Sequence, residues 1–294
     1  MPERMVVTGA AGQVGGFLAA EAARQGYDVV ALARGDLDIT DSVAVDRHIE
    51  GAGVVVNCAA FTNVDAAEAQ PDAAYAINAV GPGNLARSCA RTGARLIHIS
   101  TDYVFSGSLG RPYEISDLTG PLSVYGRSKL DGELAVHAEL PGAHVVRASW
   151  VYTGASGHGS DFVAVMRRLA GEDRTIDVVA DQTGSPTYVK DLVGALLEVA
   201  AGAVRSPILH AANAGTASRF DQARAVFAGV GADPERVRPV DTAAFPRPAR
   251  RPVFSALSMA ESVRAGLTPL RPWRDALNAA LAAAADDGPI TSTP

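Results

Sequence analysis

Three glycines at three-residue intervals, Gly9, Gly12 and Gly15, follow directly on the apolar run Met5-Val6-Val7-Thr8, and an apolar pattern of helical period begins at Val14. Few architectures accept a short buried strand that turns at once into a helix. Glycines at such a turn leave backbone N–H groups and the positive end of the helix open to close approach by a pyrophosphate. The same residues also suit a merely tight strand–helix connection, so the rest of the chain has to decide.

Further apolar runs read as strands at 29–33, 54–57, 96–100 and 145–149, alternating with amphipathic helices at 14–24, 42–49, 72–91 and 125–138. This alternation predicts an α/β fold, a Rossmann-type doubly wound parallel sheet with ligands beyond the carboxyl ends of its strands. Residues 1–150 with a returning segment, 176–200, are expected to form the NAD(P)-binding domain. The pattern loosens over 151–175 and 201–282, which are expected to form a smaller substrate-binding lobe. Residues 283–294 lose periodicity and read as a flexible tail.

A chain of 294 residues, 48% of them hydrophobic, buries a large core. Its net charge of −6 supplies no chain-wide basic field for nucleic acid. No apolar run approaches the ~18 residues of a membrane helix and no charged-then-apolar leader opens the chain, which points to the cytoplasm. Cys58, ending a strand, and Cys89, in an alanine-rich helix, read as core residues rather than as a bridge.

The chemistry is carried by Tyr125-Gly126-Arg127-Ser128-Lys129 and by Ser100-Thr101-Asp102-Tyr103 upstream. On a helix, Tyr125 and Lys129 project from one face, about 6 Å apart at Cβ. An ammonium there is expected to draw the phenol below its ordinary value of about 10, towards general-acid work near neutrality. Together with a hydroxyl from Thr101, this spacing suits carbonyl reduction or its reverse. Thr101 also suits the end of a strand and the cap of a turn, Asp102 an ordinary turn aspartate, and His98 a satisfied core histidine rather than a base.

These segments, with Asn57-Cys58-Ala59-Ala60-Phe61-Thr62, Val104-Phe105 and Asp181-Gln182-Thr183-Gly184-Ser185-Pro186-Thr187, resemble those of the extended short-chain dehydrogenases, and within them the dTDP-4-dehydrorhamnose reductases. The likeness runs over nearly the whole chain. It implies reduction of the 4-keto group of dTDP-4-dehydro-β-L-rhamnose, a dTDP-linked 4-keto-6-deoxy sugar, by NADPH or NADH. By this resemblance Gly9, Gly12, Gln13 and Val14 line the pyrophosphate turn, Asp38 and Ile39 the adenine, and Ala60, Phe61 and Thr62 the nicotinamide half. Thr101 bonds the substrate carbonyl, with Asp102 beside it; Tyr125 protonates the forming alkoxide; Lys129 holds the nicotinamide ribose; Trp150 contacts the sugar. Ser106 stands where an aspartate is common in the family, which touches a loop contact only. Some members use magnesium in forming a homodimer, but no His/Cys cluster or octahedral carboxylate set is legible, so no metal residues are assigned.

The resemblance leaves rivals open. Tyr103 stands where a dehydratase or epimerase carries a second acid, which argues against those reactions. A reductase of another nucleotide-linked keto sugar shares all the motifs. So does a binding module like the regulatory subunit of methionine adenosyltransferase, which binds NADP without known turnover. Arg250 and Arg251 either meet the substrate's diphosphate or are surface residues of a proline-rich turn. At the end of the second strand, where a carboxylate would select NADH, Arg34 follows Val29-Val30-Ala31-Leu32-Ala33, so a modest preference for NADPH is expected, unless Asp36 and Asp38 neutralise it.

Overall fold

The structure, a computed structural model, describes residues 2–154 and 161–286. In chain order the elements are β1 (Arg4–Thr8), α1 (Gln13–Arg24), β2 (Asp28–Leu32), α2 (Ser42–Ile49), β3 (Val54–Asn57), α3 (Val64–Ala69), α4 (Pro71–Tyr75), α5 (Gly81–Thr92), β4 (Arg95–Thr101), α6 (Val124–Glu139) and β5 (His144–Ala148). After these come β6 (Val151–Tyr152), α7 (Phe162–Ala170), β7 (Ile176–Val179), β8 (Thr183–Gly184), β9 (Thr187–Tyr188) and α8 (Val189–Ala200). The chain continues through β10 (Ile208–His210), β11 (Ala217–Ser218), α9 (Arg219–Gly229), β12 (Val237–Val240), α10 (Ala260–Arg264) and α11 (Trp273–Asp286).

Six strands form one parallel sheet in the order β10-β5-β4-β3-β1-β2. Side chains alternate across it, as the pleat requires. Met5, Val7, Val54, Val56 and Val146 face one layer, where Leu18 and Ala22 of α1 and Leu192 and Leu196 of α8 cover them. Val6, Val55, Leu96 and Val145 face the other, against Val45 of α2, Leu85 and Cys89 of α5 and Val136 of α6. Runs that are apolar at every position are therefore buried on both faces. The chain runs outward to β2 and then returns across β1 to β3, so the crevice of a doubly wound sheet opens above Thr8 and Asn57, which are paired in register.

The lobe is stitched from short pairings, β6 with β9, β7 with β12 and β8 with β11. One hydrophobic cluster runs unbroken from Met5 and Val7 to Phe227 and Trp273.

Four sequence expectations are corrected. Residues 208–210, assigned to the lobe, add a sixth strand beside β5; three residues are too few to show a period. Residues 176–179, assigned to the nucleotide domain, pair instead with β12 in the lobe. The helix expected at 72–91 is broken by a π-helical turn, Ala76–Val80. Pro82 has no N–H to offer the Asn78 carbonyl, and Asn78 turns its side chain inward to hold Phe61, so the wider turn absorbs a register that an α-helix cannot. Last, α11 continues through residues 283–286 of the expected tail, with Ala284 buried against Ala164; the alanine run 282–285 shows no apolar period but has the highest helix propensity. The rest of that tail lies outside the described residues.

Candidate active site

A cleft of about 670 Å³ lies along the carboxyl ends of β1, β3, β4 and β5. At its nucleotide end Gly9 holds φ +65°, and a Cβ on Gly9 or Gly15 would sit 2.6 Å from Ala59 N or 2.4 Å from Gly9 O. Only hydrogen fits at either position. α1 starts at Gly12 with no capping side chain, which leaves its first-turn N–H groups for a ligand. Gly9, Gly12, Gln13, Val14, Arg34, Asp38, Ile39, Ala60 and Thr62 all line the cleft.

Phe61 does not. Its backbone N–H donates to Asn78 Oδ1 at 2.8 Å and its carbonyl accepts from Asn78 Nδ2 at 3.1 Å, while its ring packs beside Val124 and Tyr125. It therefore shapes the cleft from behind. Arg34 lines the cleft with no hydrogen bond to another of the described residues, although, after the hydrogen bonds from Thr40, its charge adds slightly to the lowering of the Asp38 carboxyl. Asp36 accepts from Ala33 N, and Asp38 accepts from the N–H and hydroxyl of Thr40.

In the middle of the cleft, Thr101, Asp102, Tyr125 and Lys129 come together. Ser123 caps α6 through Gly126 N, and the Ser128 hydroxyl donates to Tyr125 O while accepting from Asn78, so the turn carrying Tyr125 is tied on both sides. Thr101 ends β4 and accepts from Tyr103 N, as the turn-cap reading had it, and its hydroxyl donates to Asp102 Oδ1 at 3.2 Å. Beneath them Arg147 and Glu133 form a buried bidentate pair that also takes the Ser100 hydroxyl, locking β4, β5 and α6 together.

The electrostatics correct one expectation. Lys129 is not among the groups that shift Tyr125; burial dominates and holds the phenol above its ordinary value, with the Thr101 hydroxyl pulling the other way. Lys129 is itself 2% exposed and is pushed down to about 8 by that burial, opposed by the charges of Glu133 and Cys58. Its amine donates to Ile99 O at 2.6 Å. Asp102 is pushed up to about 6 by burial, against hydrogen bonds from Ser255, Ser149 and Thr101. Cys58 packs against the core and also lines the cleft, and burial raises its thiol to about 12, so it is no nucleophile at neutral pH.

At the far end stand Trp150, Asp161, Phe162 and Arg219. Trp150 is the one non-glycine residue with positive φ (47°) among the described residues, strain of the kind that gathers at functional sites. The Arg219 guanidinium lies 3.5 Å from the centre of the Trp150 ring and 4.9 Å from that of Phe162. Its hydrogen bond is to Gln222, and burial lowers it to about 10. The sequence reading missed Arg219: the Ser218–Asp221 capping box marks a helix start there but not its direction. It also missed the Arg147–Glu133 pair, although an arginine inside the apolar run of β5 is a signal that a partner is buried nearby. Arg251 is tied bidentately to Asp65 of α3 at 2.6 and 2.7 Å, while Arg250 is exposed. No group of three or more His, Cys, Asp or Glu placed to hold a metal occurs among the described residues, and no helix there is long and apolar enough to cross a membrane.

Known proteins of this shape are informative. The family model described as RmlD substrate binding domain matches residues 3–285. The dTDP-4-dehydrorhamnose reductase of Mycolicibacterium smegmatis is 60% identical over 299 residues, covering 100% of this chain and 90% of its own. That of Mycobacterium tuberculosis is 60% identical over 292 residues, covering 98% and 95%. The crystal structure of the dTDP-4-dehydrorhamnose reductase of Bacillus anthracis in complex with NADP superposes with a TM-score of 0.91 at 35% identity, covering 96% of this chain and 100% of that one. Alike in sequence from end to end and in the course of its backbone, the chain belongs to the RmlD family, that of the dTDP-4-dehydrorhamnose reductases.

Proposed function

We propose that this protein reduces the 4-keto group of dTDP-4-dehydro-β-L-rhamnose to give dTDP-β-L-rhamnose, with NADPH as reductant. The observation that carries the reading is the meeting of Thr101, Tyr125 and Lys129 midway along a cleft that begins at the glycine turn. When bound, the dinucleotide supplies the hydride that adds to C4 of the sugar.

The protein's own residues hold the partners and move a proton. First-turn N–H groups at Gln13 and Val14 meet the pyrophosphate, with Gly9 and Gly12, whose N–H donates to Gly9 O, shaping the turn behind them. Asp38 and Ile39 flank the adenine, Ala60 and Thr62 the nicotinamide half, and Lys129 the nicotinamide ribose. Thr101 donates to the carbonyl oxygen once its hydroxyl turns from Asp102. Tyr125 gives its proton to that oxygen as it becomes an alkoxide. Burial keeps the phenol protonated, so the proton is there to be given. Trp150 and Asp102 border the sugar. Arg34 in the cleft lining, with no hydrogen bond to another of the described residues, supports a preference for NADPH, because a guanidinium is suited to a 2′-phosphate.

Purified protein supplied with NADPH and a panel of dTDP-4-keto sugars, followed by cofactor absorbance and product identity, tests the reading. The expected result is turnover of the 4-dehydrorhamnose compound ahead of the others. Faster turnover of a different keto sugar would move the substrate, and NADPH binding without turnover of any would make the protein a binding module.

A further inference from the structure

A chain of buried polar groups behind the cleft reaches Lys129 along the face of the sheet that α6 covers. The Thr8 hydroxyl donates to Asn57 Oδ1 at 2.6 Å, and the same oxygen accepts from Ala59 N at 3.1 Å. With two donors on its oxygen, the amide of Asn57 is fixed in orientation, and its Nδ2 faces His98 Nδ1 at 2.9 Å. An amide nitrogen can only donate, so His98 Nδ1 must accept. His98 is fully buried, and that burial by itself disfavours its charged form, so its single hydrogen sits on Nε2. That nitrogen points at Lys129 Nζ, 3.4 Å away.

An N–H directed at an ammonium sets donor against donor. Directed at a neutral amine, it makes a hydrogen bond to the lone pair, and the amine still donates to Ile99 O. Every group in the chain is satisfied only when Lys129 carries no charge. We propose that Asn57 and His98 are positioning residues that favour the uncharged form of Lys129 in the cofactor-free site, so that binding of the dinucleotide draws a proton from solvent onto its amine. The lone pair that accepts from His98 takes that proton, and the resulting ammonium donates to the ribose hydroxyls. This rests on the reading that Lys129 meets the nicotinamide ribose.

The groups facing the amine agree. His98 lies on β4 and Cys58 follows β3, with a thiol raised well beyond neutrality. Tyr125 stands one turn before it on α6 and is protonated. Glu133, one turn on, is the carboxylate among the described residues that acts on the amine, and it is shared with Arg147 in a buried pair. His137 acts on the site only through His98. Depression of the amine to about 8 fits a site in which burial outweighs the groups that favour an ammonium, Glu133 foremost.

Calorimetric titration of NADH into the protein, repeated in buffers of different ionisation enthalpy, counts the protons taken up. NADH is used because the 2′-phosphate of NADPH titrates on its own. Near pH 8 the wild type is expected to take up about half a proton per NADH, since Lys129 is half-charged before binding. In Asn57→Leu the His98 hydrogen is free to move to Nδ1, Nε2 then accepts from the ammonium, and uptake should fall below about a tenth of a proton. Nitrogen NMR of His98 in the cofactor-free wild type gives a reading that does not depend on the variant folding or on a cofactor binding, with Nε2 protonated and Nδ1 bare. A hydrogen on Nδ1, or NADH binding at pH 8 with no buffer dependence, overturns the proposal. Failure of NADH and NADPH alike to bind would overturn the functional reading instead, and the NMR result would still decide the inference.

Discussion

The two ends of the cleft are made of different material. The nucleotide end comes from three short stretches near the start of the chain, around Gly9–Gly15, Arg34–Ile39 and Cys58–Thr62, and what it offers is mostly backbone and empty space. The sugar end joins Thr101, Asp102, Trp150, Phe162 and Arg219 from separate elements, and what it offers is side chains held by distant partners. Asp102 takes a hydrogen bond from Ser255, 153 residues away, and Arg251 reaches back to Asp65 across 186. A site built by omitting side chains is specified locally. One built from buried polar groups exists only once the whole lobe has packed.

Tyr125 stands where the two ends meet, and its loss should give the largest effect. Tyr125→Phe removes one hydroxyl from a tethered ring, so kcat should fall about 10²–10⁴-fold while NADPH affinity, measured by fluorescence titration, holds. A variant keeping half its kcat would show that the proton comes from elsewhere.

Asp102 tests the sugar end as a buried construction. Burial raises its folded value to about 6 from an ordinary 3.8, so the folded protein holds this proton more tightly than the unfolded chain does. The stabilisation that follows is complete below about pH 4 and lost as pH rises through 6, leaving a buried charge that costs up to about 3 kcal/mol. Asp102→Asn should therefore raise Tm relative to wild type at pH 8, with the gain gone by pH 4. Equal differences at the two pH values would mean that the carboxyl is not held apart from water.

Arg34 probes the nucleotide end. Arg34→Ala removes a charge-assisted contact of about 1.5–3 kcal/mol to the 2′-phosphate, so KM for NADPH should rise roughly 10- to 150-fold while KM for NADH barely moves. Parallel shifts for both cofactors would assign Arg34 to the surface.

The smallest effect belongs to the tie between lobe and nucleotide domain. Arg251→Ala breaks a partly buried bidentate pair with Asp65, worth at most about 1 kcal/mol, and should lower Tm by a few degrees with NADPH affinity unchanged. A loss of NADPH affinity would mean that the two ends are less separate than their construction suggests.

The sequence by itself determined the parallel sheet, the glycine turn at its switch point, and the pairing of Tyr125 with Lys129, because each depends on a period or a steric limit within a few residues. Strands of four or five apolar residues with helices between them have little freedom to pack otherwise, and positions four apart on a helix share a face whatever surrounds it. The tertiary structure decided what those residues experience. Phe61 faces away from the cleft because Asn78, on a π-helical turn that Pro82 imposes, holds its backbone. Ile208–His210 becomes a strand because β5 offers an open edge, and Arg219 enters the cleft because Trp150 and Phe162 receive it. The ionisation of Tyr125 and Lys129 runs opposite to what their spacing alone suggests, since it is set by loss of water and by contacts with Thr101, Ile99 and His98 of β4. Those contacts join residues far apart along the chain, and a local pattern holds no record of them.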